Sequence, residues 1–242
     1  MSNMGMYFAE FLGTLILILL GDGVVANVSL NKSKAEGAGW MVVTTAWGMA
    51  VAIAAYTTGW VSGAHLNPAL TIGFASIGDI SWSLVPGYII AQMLGAMVGA
   101  FLVYAAFKDH FAATDDPDAK LGIFCTAPAI RNHKSNFITE VIGTAMLVLG
   151  ILGINHVNND VGALSAFLAG VLVWVIGLSL GGPTGYAINP ARDLGPRIAH
   201  AILPIPGKRD SDWSYAHIPV IGPIVGGVIG ALIFNLFLSL WT

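Results

Sequence analysis

The chain has 242 residues, of which 56% are hydrophobic and only 10% are charged, and its mean hydropathy is +0.77. A soluble domain has about 25% charged residues and cannot bury so many apolar side chains, and intrinsic disorder requires the opposite composition. The net charge of −3 without a basic tract argues against nucleic acid as a partner, and the single cysteine excludes an intrachain disulfide. The composition predicts an integral membrane protein.

Apolar runs of about 20 residues are needed to cross a hydrocarbon core of about 30 Å, and six such runs follow one another along the chain. The first run lacks a positively charged flank and carries Glu10, which favours an uncleaved membrane helix over a secretory signal. The predicted spans, which place the chain in a lipid bilayer, are 6–30, 38–59, 82–107, 137–156, 162–181 and 215–241.

Two shorter apolar stretches, 67–77 and 189–203, lie between the predicted spans and cannot cross a bilayer. Each begins with an Asn-Pro-Ala triplet; the two triplets are Asn67, Pro68, Ala69 and Asn189, Pro190, Ala191. Because Asn is a favoured N-cap and Pro is favoured at the first helical position, both triplets predict the start of a re-entrant half-helix. The glycine-containing segments before them predict pore loops, since irregular backbone at membrane depth persists only when buried in protein or lining water.

The chain also contains an internal repeat. AEFLGT in the first span recurs as TEVIGT in the fourth, and SGAHLNPA before the first half-helix recurs as TGYAINPA before the second. Each half runs span, span, half-helix, span, and three crossings is an odd number, so the second half is expected to be inverted. We therefore expect one channel domain made of inverted repeats at 1–107 and 137–242, joined by a polar loop at 108–136.

Inverted repeats with broken helices place the functional site near the membrane midplane, where Asn67 and Asn189 are expected to meet. Each half-helix N-terminus carries about half a positive charge, and each Asn can cap its helix through oxygen while its NH₂ group donates into the pore. Such a site accepts the oxygen of water or a hydroxyl group and repels protons and metal cations. The arrangement predicts passive conduction of neutral solutes, without enzymatic activity, a cofactor or a metal.

The motifs SGAHLNPA and GYAINPARDLGPR, with the repeated Glu10 and Glu140 and the order of the spans, resemble the major intrinsic protein (aquaporin) family over essentially the whole chain. Asp193 after Arg192, and a Pro-Val pair in the last span, resemble its glycerol-facilitator (aquaglyceroporin) branch. The resemblance implies an all-α channel of six transmembrane helices and two re-entrant half-helices. It also implies a homotetramer that passes water, glycerol and other small uncharged solutes across the cell membrane.

The resemblance further implies a narrow selectivity filter formed by Trp47, Gly177, Tyr186 and Arg192. An aromatic wall beside an arginine suits a solute with a carbon edge and a hydroxyl edge, and Gly177 is expected to leave the filter wide. Tyr186 departs from the Phe that is common in glycerol facilitators. This departure adds protonated lactic acid and similar neutral molecules to the expected solutes.

Other polar residues have more than one interpretation. Arg192 is a filter residue or an interfacial side chain that snorkels to the headgroups. Glu10 and Glu140 support the pore loops, as the resemblance implies, or belong to a proton relay. His65 is a pore-loop residue or a gate, since no metal-ligand partner lies at a suitable spacing. Arg197 is expected at the surface or in a loop.

The main alternative function is a proton-coupled secondary transporter, because such transporters also contain inverted repeats. Coupling would require titratable groups along the path, and Glu10, Glu140 and Asp22 are the candidates. We expect Asp22 at headgroup level and none of the three in a half-helix, which favours a channel.

The ten Lys and Arg residues lie in 32–34, 108–134 and 192–209, which six spans place on one face. The positive-inside rule makes that face cytoplasmic, whereas the family resemblance makes it the outer face, with both termini cytoplasmic. We follow the resemblance, because 108–134 carries four acidic residues beside its four basic ones and two of the arginines belong to the second half-helix.

Overall fold

The computed structural model describes residues 2–241, and these form α-helices and short 3₁₀ turns without a β-strand. The α-helices are α1 (Asn3–Ser29), α2 (Trp40–Ser62), α3 (Pro68–Ser76), α4 (Val85–Ala106), α5 (Lys108–Ala113), α6 (Pro117–Phe124), α7 (His133–Ile154), α8 (Ser165–Leu180), α9 (Pro190–Ile202) and α10 (His217–Trp241). The 3₁₀ turns are Val157–Asn159 and Gly162–Leu164. Six helical segments of the described residues are long and apolar enough to cross a membrane: α1, α2, α4, α7, α10, and Gly162–Leu180, which joins the second 3₁₀ turn to α8. Each overlaps one predicted span, so the predicted membrane-spanning class is confirmed.

Helices α3 and α9 are the two half-helices. At a rise of 1.5 Å per residue, their 9 and 13 residues reach only about 14 and 20 Å, which is too short to cross. Each packs against both α4 and α10, so helices from both halves of the chain hold it in place.

The contacts between helices repeat along the chain. Helix α1 packs against α2 and α4, and α7 packs in the same way against α8 and α10. Helices α2 and α8 contact each other and connect the two sets. This pairing agrees with the predicted repeat, whose boundaries stay a prediction.

Glycines allow the spanning helices to approach closely. A Cβ atom on Gly95 would lie 2.2 Å from the carbonyl oxygen of Phe11, and one on Gly226 would lie 2.3 Å from that of Val141. Neither backbone leaves space for a side chain, so the small residues set the separation of α4 from α1 and of α10 from α7. The matched glycines Gly99 and Gly230 make contacts of the same kind.

The segment predicted as a polar loop at 108–136 is more ordered than its composition suggests. It forms α5 and α6, and α7 already begins at His133. Phe111 and Phe124 are fully buried with ring centroids 5.7 Å apart, and α6 packs against α1 and α9. The connection between the halves therefore covers the end of the second half-helix.

A candidate pore and its constriction

The two Asn-Pro-Ala triplets start the half-helices as the sequence predicts. The Oδ1 atom of Asn67 accepts a hydrogen bond from the Ala69 N–H at 2.9 Å, and Pro68 occupies the first helical position. Asn189 caps α9 in the same way, since its Oδ1 accepts from the backbone N–H groups of the second and third helical residues at 3.0 and 3.2 Å. Both N-termini therefore end at a carboxamide.

The same carboxamides tie the two halves of the chain together. The Nδ2 of Asn67 donates to the carbonyl oxygen of Ile188 at 2.8 Å, and the Nδ2 of Asn189 donates to that of Leu66 at 2.8 Å. Each NH₂ group has two N–H donors, and the described residues accept only one from each Asn. Both Asn side chains also line a cavity, so the remaining donors are available to a solute.

Glu10 holds the first pore loop from behind. It is fully buried in α1 and accepts from the backbone N–H groups of His65 at 2.9 Å and Leu66 at 2.7 Å. Ser62 and Gln92 donate to the same carboxylate through their side chains, at 2.6 and 2.8 Å.

Glu140 makes the equivalent contacts to the second pore loop. Its carboxylate accepts from the N–H groups of Ala187 at 3.0 Å and Ile188 at 2.8 Å, and from the hydroxyl of Thr184 at 2.6 Å. Neither Glu10 nor Glu140 lines either of the cavities described below. Their contacts suit support of the loops better than transfer of protons along the pore.

Both pore loops have a strained backbone at matched positions. The left-handed residues without a glycine are Ala64 (φ 49°), Leu66 (53°), Tyr186 (38°) and Ile188 (42°). Such residues cost about 1 kcal/mol or more each, so the hydrogen bonds to the buried glutamates must offset that cost. The carbonyl oxygens of residues 63–65 and 185–187 accept no hydrogen bond from the described residues, which leaves them as acceptors.

His65 braces the first pore loop against its own half-helix. Its Nδ1 lies 3.1 Å from the Thr71 hydroxyl, and its ring contacts those of Phe74 and Tyr88 at centroid distances of 5.0 and 5.1 Å. The side chain also lines a cavity, so it can contact a solute while it holds the loop.

Two cavities meet at three side chains. One of about 530 Å³ extends past both Asn residues to the mouth formed by Tyr56, Trp60 and Asn155. The other, of about 360 Å³, opens beside the start of α2 and the Cys125–Ala127 segment. The side chains of Trp47, Tyr186 and Arg192 line both cavities, so they form the constriction between them.

Arg192 is stacked at this constriction rather than directed to a membrane surface. Its guanidinium carbon lies 4.2 Å from the centroid of the Trp47 ring, and the side chain is buried. The guanidinium donates no hydrogen bond to the described residues; Nη1 is buried, which leaves the N–H groups of Nε and Nη2 available to a solute. The interfacial alternative for Arg192 does not fit this position.

Gly177 has a different position from the one expected. It lines neither cavity, and a Cβ atom there would lie 2.7 Å from Cζ of Tyr186 and 3.0 Å from a methyl of Thr44. Gly177 therefore makes room for the Tyr186 ring, and it affects the width of the constriction only through that ring. Trp40 covers the same place, with its Nε1 donating to the Gly177 carbonyl at 3.1 Å.

Two charged residues that we expected near water are fully buried in the protein. Asp22 is fully buried, and its Oδ1 lies 3.7 Å from Nη1 of Arg192, so the expected headgroup position is wrong. Arg197 is also fully buried: it pairs with Asp193 at 2.8 Å and donates to the carbonyl of Ser211 at 2.8 Å. The i, i+4 spacing of Asp193 and Arg197 is the signal that could have revealed their pairing.

A family model described as Major intrinsic protein matches residues 1–234.

The chain belongs to the major intrinsic protein family.

A relative from Thermotoga maritima, named a probable glycerol uptake facilitator protein, is 63% identical over 96% of this chain and 99% of its own. A D/L-lactic acid transporter from Lactiplantibacillus plantarum is 43% identical over 89% of this chain and 90% of its own. The X-ray structure of the aquaglyceroporin from Plasmodium falciparum superposes with a TM-score of 0.89 at 31% identity, covering 99% of this chain and 98% of that one. This major intrinsic protein is therefore a membrane channel of the aquaglyceroporin type and not an enzyme.

Proposed function

We propose that the protein is a passive channel for glycerol, water and other small uncharged solutes, and that it excludes protons and ions. The observation that carries the proposal is the constriction, where Trp47, Tyr186 and Arg192 line both cavities. Two aromatic faces and free guanidinium donors complement a molecule whose carbon and hydroxyl edges lie on opposite sides. The relative named a probable glycerol uptake facilitator protein supports glycerol as the principal solute.

The described polar groups suggest how a solute crosses. At the constriction its hydroxyl oxygens accept from Arg192, while its CH groups lie on the rings of Trp47 and Tyr186. The unbonded carbonyl oxygens of the pore loops then accept from its hydroxyl groups. At the midplane, Asn67 and Asn189 donate to its oxygens, and the positive ends of α3 and α9 repel cations and hydronium.

We assign the remaining predicted site residues to supporting roles. Pro68, Ala69, Pro190 and Ala191 form the first turns of the half-helices, and the two buried glutamates fix the pore loops. Because those two carboxylates accept several hydrogen bonds each and line neither cavity, they are not placed to couple proton movement to solute movement.

The test is stopped-flow light scattering on proteoliposomes challenged with glycerol, water and urea. We expect glycerol to equilibrate much faster than in protein-free vesicles, without saturation and without dependence on a proton gradient. The matched comparison is Trp47→Ala, which opens the constriction on one side and should reduce discrimination between glycerol and bulkier polyols. Glycerol flux equal to that of empty vesicles would contradict the proposal.

Protonated lactic acid is a second candidate solute. Its support is the relative named a D/L-lactic acid transporter, together with a constriction that offers donors to a carboxyl as well as to a hydroxyl group. We expect lactic acid influx to accelerate over empty vesicles at acidic pH, where the neutral acid is abundant, and to vanish at neutral pH. Acceleration at neutral pH would instead indicate passage of the anion.

We further propose a homotetramer in the plasma membrane with both termini in the cytoplasm. The basic face of the chain does not oppose this orientation, because most of its cations are used within the fold. Lys208 donates to the carbonyls of His200, Ala201 and Leu203 at the end of α9, and Lys120 donates to that of Pro206. Cations bound in this way are not available to cytoplasmic lipid headgroups.

A further inference from the structure

Asp22 is a buried carboxylate without a hydrogen-bond donor among the described residues. It lies within α1 and is fully buried, and neither Oδ1 nor Oδ2 accepts a hydrogen bond. Its neighbour Gly21 packs directly under the Trp47 ring, where an added Cβ would lie 2.3 Å from the ring. Asp22 is therefore held immediately behind one wall of the constriction.

The cation nearest to Asp22 is the constriction arginine. Oδ1 of Asp22 lies 3.7 Å from Nη1 of Arg192, and that Nη1 donates to no other described residue. The other carboxylate close by in sequence, Asp193, is already bonded to Arg197 and to the backbone and hydroxyl of Thr126. Asp22 is thus the carboxylate that balances Arg192.

The Asp22–Arg192 pair affects neutral and charged solutes differently. A hydroxyl group is recognised by N–H donors at hydrogen-bond distance, and these remain whether or not the guanidinium charge is balanced. A small anion responds to the net charge, and an unbalanced arginine in a pore favours anions. Inside a low-dielectric protein, a carboxylate less than 4 Å from the guanidinium offsets most of its field.

Resting on the proposed channel function, we propose that Asp22 is a specificity-determining residue of the constriction. Its carboxylate balances the charge of Arg192, so that the constriction offers donors without net positive charge and rejects small anions. The positive ends of α3 and α9 repel cations but would attract anions. The charge of Asp22 is what makes the constriction exclude anions as well.

The test compares Asp22→Asn with the wild type. Asparagine keeps the shape of the side chain and removes its charge. Proteoliposomes at pH 7 receive a potassium nitrate gradient with valinomycin, so that nitrate permeability limits salt entry, and glycerol flux is measured on the same vesicles. We expect the ratio of nitrate to glycerol permeability to rise about tenfold in Asp22→Asn. The matched control Asp115→Asn removes the same charge from an exposed loop and should leave both permeabilities unchanged.

An unchanged ratio in a folded, glycerol-conducting Asp22→Asn variant would overturn the proposal. Wild-type vesicles without glycerol flux would instead contradict the channel function, so the two failures are distinct. If Asp22→Asn does not assemble, the double variant Asp22→Asn with Arg192→Gln leaves no unpaired charge. It should assemble with nitrate permeability within twofold of the wild type; failure to assemble, or high nitrate permeability, would also overturn the proposal.

Discussion

Tyr186 contributes its ring to the constriction but not its hydroxyl group. The ring lines both cavities and packs edge-to-face against Trp40 at 5.7 Å. The hydroxyl oxygen is buried without a partner among the described residues, on the side where the ring meets Gly177. The hydroxyl is therefore not placed to contact a solute.

We expect Tyr186→Phe to leave the permeability ratios of water, glycerol and lactic acid unchanged. Because the variant removes a buried unsatisfied polar group, the free energy of unfolding should rise by about 1 kcal/mol. Stopped-flow flux and thermal unfolding in detergent measure the two effects. Tyr56→Phe is the control, since it removes a hydroxyl that donates to the Ala163 carbonyl at 2.6 Å and should not stabilise the protein. A changed solute ratio in Tyr186→Phe would contradict the assignment.

Glu140 provides a second test at this scale. Glu140→Gln places an NH₂ group where three donors converge, so we expect a loss of about 2–3 kcal/mol in stability and a fall in glycerol flux as the second pore loop loosens. Thr184→Val removes only one of these bonds and should cost about 1 kcal/mol. Equal thermal stability of the two variants would argue against loop support by Glu140.

Residue positions were predictable where they follow from a local signal. The N-caps at Asn67 and Asn189 follow from Asn-Pro-Ala itself, and the structure bears out both helix starts. Asp22 was misplaced because its partner is remote in sequence. Arg197 was misplaced because, besides the local Asp193, its burial depends on the carbonyl oxygens of Thr126 and Ser211 in other segments. Arg192, the partner of Asp22, lies 170 positions later in the chain (192 − 22).

At the scale of elements, glycine faces fix how α10 lies on α7. We expect Gly226→Ala to destabilise the protein by about 1–3 kcal/mol, because its methyl group would meet the Val141 carbonyl at 2.3 Å. Gly153→Ala is the matched control: it lies near the end of α7 with nothing within 4 Å, and alanine should there be neutral or stabilising. Thermal unfolding of the pair in detergent measures the difference, and equal melting temperatures would contradict it.

The long elements were predictable from length and hydropathy, which are local properties, and the half-helices from their caps. Helices α5 and α6 were not, because the stretch that contains them is polar overall. Phe124 on α6 becomes a packing surface only when α1 and α9 lie beneath it, and Phe111 on α5 is buried against the rings of Phe124 and of Tyr104 in α4. Such tertiary burial leaves no periodic signal in a segment of six to eight residues.

At the scale of the whole molecule, the distribution of Lys and Arg does not indicate which face of the protein is cytoplasmic. Arg131 pairs with Asp212 and Arg209 with Asp118, in addition to the buried arginines of α9. The two surface pairs join the connection between the halves to the segment after α9. The basic residues on this face therefore hold the connection between the halves against the segment after α9, in addition to contacting water.

We expect a cysteine at position 115 to react from outside intact cells and one at position 79 to react only after permeabilisation. Both positions are exposed, and α4 crosses the membrane between them. Asp115→Cys and Asp79→Cys in a Cys125→Ala background can be labelled with a membrane-impermeant maleimide. The reverse pattern would place both termini outside.

The reciprocal bonds from Asn67 to Ile188 and from Asn189 to Leu66 have a consequence for biogenesis. During synthesis the first half is inserted while the second pore loop is still untranslated. Until then the Nδ2 of Asn67 and the carbonyl oxygen of Leu66 lack these hydrogen-bond partners. The conduction path is therefore completed only after Ile188 and Asn189, in the final quarter of the chain, have been made. A chain that ends before position 188 lacks both the acceptor for Asn67 and the donor for Leu66, so its midplane site cannot form.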